Sequence, residues 1–389
     1  MATLLDYATI ITPNEILERS AIVVSDSSKI SYVGPMESAP AVDGLHLDMR
    51  NRIVIPGLIN IHVHGGYGIT FGIADTLSED LEGYSKWVVK NGVTGFLTTI
   101  LAPDAKQLTE LIKQYVELFN NELPGAEALG IHLEGPFLNV EKKGAQNPDW
   151  LHDPSIEEAE AYLQAGKGWI RQMTMAPELP GADEVASLFR RTGVVLAIAH
   201  STAGYEVGRE VFEGNWTHVT HTFNAQVGLH HRNPGMIGAI LSSDEITAEL
   251  IADLVHVHPC AMKVLVKCLG TDRVVLITDA MAGAGLPDGH YTLLGHDATV
   301  KDGKATLQDG TIAGSIATLN QCVRNMVQKV DVPLAEAVKM ATLNPARAMG
   351  LANKVGSITV GKDANLAVID ENINVYLTMV KGKIVYNNL

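Results

Sequence analysis

The stretch Ile53-Val54-Ile55-Pro56-Gly57-Leu58-Ile59-Asn60-Ile61-His62-Val63-His64-Gly65-Gly66 indicates where the main fold of this chain begins. Pro56-Gly57 interrupts an apolar run, which is typical of a turn between two strands. The second run is short and wholly apolar, as expected of a strand buried on both faces of a parallel sheet. Because side chains alternate along a strand, His62 and His64 point the same way at its carboxyl end. Two convergent imidazoles suggest a metal, although unrelated histidines at a polar strand end would give the same pattern.

Similar apolar runs recur along the middle of the chain, separated by helical patterns. The candidate strands are 57–62, 94–100, 128–134, 172–176, 194–200, 218–221, 247–253 and 274–279. The candidate helices are 81–91, 105–120, 156–165, 184–192, 319–329 and 334–341. Strands that alternate with helices in this way predict an α/β fold with a (β/α)8 TIM-like barrel. A doubly wound open sheet is the alternative, but it usually carries a glycine-rich nucleotide turn after its first strand.

Both ends of the chain are rich in β patterns, unlike the middle. A polar turn separates residues 21–24 from residues 29–34, which predicts a hairpin, and residues 361–370 and 379–386 give further strand signals. The most economical topology is a small β-sandwich domain built from residues 1–55 and 345–389. A barrel domain of residues 56–344 would be inserted between these two segments.

Composition narrows the classes of function. The formal charge of −15 disfavours nucleic acid or an anionic membrane as a partner. The chain contains no apolar run of the roughly 18–20 residues that a membrane span needs, and its first residues do not resemble a signal peptide. We therefore expect a cytoplasmic protein. The 3 cysteines form no C-x-x-C motif, so neither a disulfide framework nor a thiolate zinc site is indicated.

Polar residues stand at the ends of several other candidate strands. Glu134, His200, His221 and Asp279 each close one of them. In a barrel all these carboxyl ends lie on one rim, where barrel enzymes place their active sites. A single histidine there could be a hydrogen-bonded core residue, and Asp279 could be a cap. Together with His62 and His64, these side chains instead form a set of nitrogen and oxygen ligands suited to a divalent metal.

These motifs resemble the amidohydrolase superfamily. Within it, the segments 132–137, 142–145, 221–225 and 278–281 are similar to the N-acetylglucosamine-6-phosphate deacetylase family, and the resemblance extends from Pro56 to residues 361–364. The most specific mark is Glu134, where many members of the superfamily carry a metal-bridging lysine. The resemblance implies an enzyme of amino-sugar catabolism, a hydrolase that converts N-acetyl-D-glucosamine 6-phosphate to D-glucosamine 6-phosphate and acetate.

The resemblance also assigns roles to the residues at the strand ends. Glu134, His200 and His221 would bind the main metal, and His62 and His64 a second one. One or two divalent ions per chain are therefore expected, with zinc first and iron, manganese or cobalt as alternatives. Water activated by the metal would attack the acetamide, while Asp279 would act first as general base and then as general acid. A homodimer is implied as well, in which a partner subunit can contribute to the phosphate pocket.

The substrate contacts implied by the resemblance come from several loops. A phosphate-binding arginine corresponds to Arg232. The remaining candidate contacts are Ala145, Gln146, Asn224, Ala225, Asp253, His256, Ile312, Ala313 and Gly314. Gln146 stands where several family members have a histidine that helps to hold the substrate carbonyl. Since a glutamine amide donates only a neutral hydrogen bond, we hypothesise that this chain depends more on the metal at His62 and His64.

Two other classes of function fit part of the pattern. Another amidohydrolase, such as a cyclic amidase or a deaminase, would use a similar barrel, but Glu134 and Arg232 argue against it. A metal-free scaffold would keep the fold without the chemistry. Such a protein would be free to lose its ligands, whereas this chain retains the complete set.

Overall fold

The computed structural model describes residues 2–293 and 295–389. Its first part consists of the strands β1 (Thr3–Ile11), β2 (Ile16–Val24), β3 (Ile30–Pro35), β4 (Leu45–Asp48) and β5 (Ile53–Pro56). β2 is antiparallel to both β1 and β3, whereas β4 and β5 lie parallel to β1. The predicted hairpin at residues 21–34 is confirmed as the β2–β3 pair.

Beyond Pro56 the chain alternates between strands and helices. In order they are β6 (Leu58–Asn60), β7 (Gly65–Gly66), β8 (Ile69–Thr70), α1 (Leu77–Val88), β9 (Val93–Ile100), α2 (Ala105–Leu118), β10 (Glu127–Glu134), α3 (Ile156–Gly166), β11 (Ile170–Met175), α4 (Ala182–Arg191), β12 (Val195–Ile198), α5 (Tyr205–Phe212), β13 (His218–Val219), α6 (Gly235–Leu241), β14 (Thr247–Ile251), α7 (Pro259–Leu269) and β15 (Val274–Ile277). Within the described residues, β6 and β9–β15 form an eight-stranded sheet of parallel neighbours. The (β/α)8 barrel is therefore confirmed.

The helices form where capping and spacing of apolar residues agree. In α2, the side chain of Asp104 accepts a hydrogen bond from the backbone N–H of Gln107 at 2.8 Å, which caps the helix start. Leu108, Leu111 and Ile112 then recur at helical spacing and are buried in the main core. The helix thus covers the outside of the barrel with one apolar face.

The barrel closes between its first and eighth strands through polar contacts. Asn60 on β6 donates from Nδ2 to Oγ1 of Thr278 at 2.7 Å. Just beyond the strands, the backbone N–H of Asp279 donates to the carbonyl of His62 at 3.0 Å, and that of His64 donates to Ala280 at 2.9 Å. The segments that carry His62, His64 and Asp279 are therefore joined directly.

An antiparallel sheet follows the eighth barrel strand, and the sequence analysis missed it. It consists of β16 (Gly289–Leu293), β17 (His296–Lys301) and β18 (Lys304–Thr306). Leu293, Ala298 and Val300 pack in a small core of their own. These strands are short, and charged or polar residues occupy most of their remaining positions, so no long apolar run revealed them.

The last part of the chain returns to the first sheet. It contains α8 (Leu319–Val330), α9 (Leu334–Met340), α10 (Leu343–Ala348), β19 (Leu366–Ile369), β20 (Val375–Val380) and β21 (Lys383–Asn387). The strand order is β21-β20-β19-β5-β1-β2-β3, with β4 beside β1, so both termini contribute to one sheet. This confirms that a β-rich unit built from both ends of the chain accompanies the barrel.

The terminal sheet has two buried faces. In β19, Leu366 and Val368 pack in the sheet's own core, whereas Ala367 and Ile369 join the core of the barrel. The alternation follows the two-residue period of a strand. The division at 55/56 and 344/345 stays a prediction, and α10 runs across the second of these boundaries. None of the helices in residues 2–293 and 295–389 is long and apolar enough to cross a membrane.

Candidate metal centre and active-site cavity

Six predicted site residues meet at the carboxyl end of the barrel. They form two groups whose possible ligand atoms lie within 4.8 Å of one another: His62, His64 and Asp279 in one group, and Glu134, His200 and His221 in the other. All six side chains are buried. The structure therefore brings together residues that are as much as 217 positions apart, between His62 and Asp279.

Glu134 lies between the two groups. Its Oε1 is 3.0 Å from Nε2 of His221 and 3.4 Å from Nε2 of His200. Its Oε2 is 3.1 Å from Nε2 of His64. Oε1 is also 3.5 Å from Nε2 of His62, so the carboxylate contacts both groups, as a ligand shared between two ions would.

Hydrogen bonds behind the ligands orient the imidazole rings. Nδ1 of His200 lies 2.7 Å from the carbonyl oxygen of Lys142, and Nδ1 of His62 lies 2.9 Å from Oε2 of Glu249. Because a carbonyl or carboxylate oxygen only accepts, each Nδ1 carries the proton. The Nε2 atoms are left as lone-pair donors that face the centre of the site.

The backbone turns sharply where several of these residues leave their strands. The φ angles are +48° at His200, +30° at His221 and +49° at Asp279, all in the left-handed region that non-glycine residues rarely adopt. Each such conformation costs on the order of 1–3 kcal/mol and persists where surrounding contacts enforce it. The turn redirects each side chain into the barrel mouth instead of along the sheet.

The buried histidines and carboxylates of the site shift each other's pKa values. Burial alone would lower the pKa of His64, but the carboxylates of Asp279 and Glu134 raise it to about 9. Burial would raise the pKa of Glu134, yet the surrounding histidines hold it well below its usual range, and the pKa of Asp279 is lowered for the same reason. The carboxylates therefore favour positive charge between them.

The donor set fits a divalent ion. Nε2 of His200 and Nε2 of His221 lie 3.0 Å apart. Because the proton of His200 is on Nδ1, its Nε2 directs a lone pair into the site. Nε2 of His62 is buried, points at the same region and has no hydrogen-bond partner within the described part of the chain. Nitrogen and carboxylate donors that converge in this way are the ligands of zinc and related metals.

A cavity of about 260 Å³ opens above this centre. This volume is slightly below that of most ligand pockets, roughly 300–1,000 Å³, so the cavity suits a small molecule. Predicted contact residues in its wall are Ala145, Gln146, Asn224, Ala225, His256, Ile312 and Gly314. The predicted substrate contacts are thus largely assembled at one place, and their individual roles stay predictions.

Three predicted contacts do not line the cavity. Arg232 is exposed on a loop, with Nη1 2.8 Å from Nε2 of His231. Asp253 acts behind the wall, because its Oδ2 accepts a hydrogen bond from Nδ1 of His256 at 2.7 Å and leaves Nε2 of that ring for a ligand. Ala313 is buried in the core of the inserted sheet.

Gln146 has a partner that the sequence did not suggest. Its Nε2 donates to Oε2 of Glu134 at 2.8 Å, while its Oε1 is buried with no hydrogen-bond partner among the described residues. The amide therefore supports Glu134. A contact with a substrate carbonyl stays a prediction.

The sequence analysis missed several residues of the site. Gly144, Leu293 and Thr311 line the cavity, and Leu293 comes from the unpredicted inserted sheet. Glu249 lies directly behind two metal-facing histidines. The available signal was a charged residue in the middle of the buried strand 247–251, away from the strand ends where the other site residues stand.

The fold and the site define a class of protein. A family model of the amidohydrolase family matches residues 53–385, and the chain belongs to this family. This membership explains why the barrel carries histidines and carboxylates at the ends of its strands. The predicted resemblance to the amidohydrolase superfamily is confirmed.

Individual relatives narrow the class. The chain is 32% identical over 383 residues to the N-acetylglucosamine-6-phosphate deacetylase of Bacillus subtilis (strain 168), covering 97% of this chain and 95% of that protein. It is 34% identical to an N-acetylgalactosamine-6-phosphate deacetylase of Escherichia coli O157:H7, with 88% and 91% coverage. A solved N-acetyl-D-glucosamine-6-phosphate deacetylase from Mycobacterium smegmatis, in complex with N-acetyl-D-glucosamine-6-phosphate, superposes with a TM-score of 0.91 at 32% identity, covering 100% of this chain and 99% of that one.

Proposed function

We propose that this chain hydrolyses the acetamide of N-acetyl-D-glucosamine 6-phosphate, giving D-glucosamine 6-phosphate and acetate in amino-sugar catabolism. The observation that carries the proposal is Glu134, whose two oxygens face two groups of metal-competent residues beneath a small cavity. Deacetylases aligned over nearly the whole chain support the choice of reaction.

Glu134, His200 and His221 would hold the main ion, and His62, His64 and Asp279 face the place for a second. Zinc is our first choice, since three histidine or carboxylate ligands with an open position are typical of catalytic zinc sites. Iron, manganese and cobalt would accept the same donors. A bound ion would polarise the acetamide carbonyl and increase the acidity of a water molecule beside it.

Asp279 would move the proton. Its side chain reaches the cavity and its pKa is lowered, so it is ionised and can accept the proton of the attacking water. It would then deliver that proton to the departing sugar nitrogen. Without protonation the leaving group would be an amide anion, which is far too basic to depart.

The cavity wall would orient the sugar. His256 presents Nε2 because Asp253 holds its Nδ1, and the loop at Ile312 and Gly314 lies against the same space. Asn224 and Ala225 follow the metal-facing His221 and would contact the sugar or its phosphate. Gln146, directed at Glu134, would support the metal side of the site.

We also propose a homodimer. Arg232 is exposed and does not line the cavity of its own chain, so a phosphate there would need this guanidinium from the partner subunit. A cytoplasmic location stays a prediction, which cell fractionation would test.

The substrate is tested with a panel of amides at equal enzyme concentration. Acetate release is measured with N-acetylglucosamine 6-phosphate and N-acetylgalactosamine 6-phosphate, because one relative is named for the second sugar. Ring opening of a cyclic amide and ammonia release from adenine are measured for the other amidohydrolase activities. The proposal predicts the highest kcat/KM with N-acetylglucosamine 6-phosphate, and preference for the cyclic amide or for adenine would contradict it.

A further inference from the structure

A buried carboxylate behind the metal ligands has no place in the proposed chemistry. Glu249 lies in the middle of β14, and its side chain is fully buried inside the barrel. Burial of a charged carboxylate is unfavourable unless hydrogen-bond donors surround it. The partners of Glu249 must therefore offset the loss of its hydration, which an apolar side chain at this position would not incur.

The two oxygens of Glu249 have separate sets of partners. Oε1 accepts hydrogen bonds from Nε2 of Gln172 at 2.7 Å and from Nε2 of His218 at 3.2 Å, both in the polar layer within the barrel. Oε2 accepts from Nδ1 of His62 at 2.9 Å and from the backbone N–H of His221 at 3.1 Å. One oxygen thus serves the barrel interior and the other serves the metal ligands.

The contacts of Oε2 reach both groups of metal-competent residues. His62 belongs to the group with His64 and Asp279, and His221 to the group with Glu134 and His200. The bond to His62 fixes the ring tautomer with a lone pair on Nε2. The bond to His221 anchors its backbone, whose φ of +30° is strained.

We propose that Glu249 is a positioning residue that couples the two halves of the metal centre through a single carboxylate oxygen. It keeps His62 in its ligating tautomer and holds the His221 backbone in the turn that aims its ring at Glu134. The inference rests on the proposed function only in assuming that the centre binds metal. It does not depend on which amide is hydrolysed.

The principal test is Glu249→Leu in the full chain, stripped with a chelator and titrated with Zn²⁺ or Co²⁺. Leucine offers no acceptor to Nδ1 of His62 or to the N–H of His221, so neither the ring tautomer nor the backbone turn would be held. We expect at least ~10-fold weaker binding of the ion at His62, the usual effect of removing such a support. The Co²⁺ absorption spectrum, which reports ligand geometry, should change as well.

Gln172→Leu is the matched control, because it removes a partner of Oε1 from the same buried layer and leaves Oε2 intact. It should bind metal like the wild type, even if its melting temperature falls. Glu249→Asp provides a second variant if Glu249→Leu does not fold. It keeps the carboxylate but draws its oxygens away from His62 and His221, so metal binding should weaken less than in Glu249→Leu and more than in Gln172→Leu.

Folded Glu249→Leu that binds ions as tightly as the wild type would overturn the proposal. So would equal losses in Gln172→Leu, which would indicate general damage to the barrel interior. A wild type that takes up no ion at His62 would overturn it as well. Because the readout is metal affinity, failure of the deacetylase assay with normal metal binding would refute the proposed substrate and leave this inference standing.

Discussion

Asp279 combines three properties at the scale of a single residue. It follows the eighth barrel strand, its left-handed backbone turns it into the cavity, and its Oδ1 lies 3.3 Å from Nε2 of both His62 and His64. A carboxylate in that position can either complete a metal site or transfer a proton. Its low pKa keeps it in the basic form that the first step requires.

Asp279→Asn should therefore retain the ion at Glu134, His200 and His221 but lose turnover. Removing a general acid-base group typically costs about 10²–10⁴-fold in kcat, because both water attack and amine departure need the proton transfer. Acetate release and metal content would be measured on the same sample. Asp183→Asn, an exposed carboxylate on α4, changes the net charge equally and should have no effect. A near-normal kcat in Asp279→Asn would exclude the proton-transfer role.

His64→Asn tests the second ion. His64 contributes to the group with His62 and Asp279 and is not part of the other group. We expect this variant to hold one ion per chain where the wild type holds two, with a reduced kcat, since the polarising charge beside the carbonyl would be lost. His200→Asn should instead abolish activity. A fully active wild type with one ion per chain would contradict the two-metal arrangement.

The identities of the metal-facing residues were predictable, and their orientations were not. His200, His221 and Asp279 close candidate barrel strands, so their meeting at one rim followed from barrel topology. Their left-handed φ angles depend on tertiary contacts that no sequence pattern reveals. Glu249 and the contact of Gln146 with Glu134 were missed, because residues that act on ligands from behind stand at no characteristic spacing.

At the scale of secondary-structure elements, Pro56-Gly57 connects the two parts of the fold. β5 belongs to the terminal sheet and β6 to the barrel, and only Gly57 separates them. A Cβ atom built on Gly57 would lie 2.2 Å from side-chain atoms of Thr94, a buried residue of the neighbouring strand β9. The close approach of the two strands at this corner requires glycine.

Gly57→Ala should lower the free energy of unfolding by about 1–3 kcal/mol, as overpacking of a buried site usually does. Thr94 is β-branched and buried, so it has little freedom to move away. Urea unfolding would measure the change. Gly214→Ala is the control, since its new Cβ would meet atoms at 3.4 Å or beyond at an exposed turn. Equal stability of the two variants would show that β6 can shift without cost.

The elements themselves were predicted unevenly. The eight barrel strands were found because strands buried on both faces give continuous apolar runs. α5, α6 and α7 were missed, and the first two have only 8 and 7 residues, too few for a clear helical period. The β16–β18 sheet was missed because its buried positions alternate with charged and polar ones in very short strands.

At the scale of the whole molecule, the two termini fold onto the barrel through the second face of their sheet. Residues from β5, β19 and β20 share the core of the barrel, so the two parts should unfold together. The cavity lies at the carboxyl ends of the barrel strands. Loops from along most of the chain contribute to its wall.

Subunit mixing tests the proposed dimer. Arg232→Ala and Asp279→Asn should each be inactive alone. If Arg232 acts in the cavity of the partner subunit, mixed dimers regain one complete site, and an equal mixture recovers roughly a quarter of wild-type activity. Subunits would be unfolded and refolded together before the assay. No recovery would mean that Arg232 acts within its own chain or that the protein is not a dimer.

The central claim is a metal-dependent deacetylase whose substrate carries a phosphate. It is tested most directly by comparing N-acetylglucosamine 6-phosphate with unphosphorylated N-acetylglucosamine, on one preparation whose metal is quantified before and after chelation. The account predicts strong preference for the phosphorylated sugar, loss of acetate release on chelation and recovery in proportion to the Zn²⁺ restored. Equal kcat/KM for the two sugars, or full activity without metal, would contradict it.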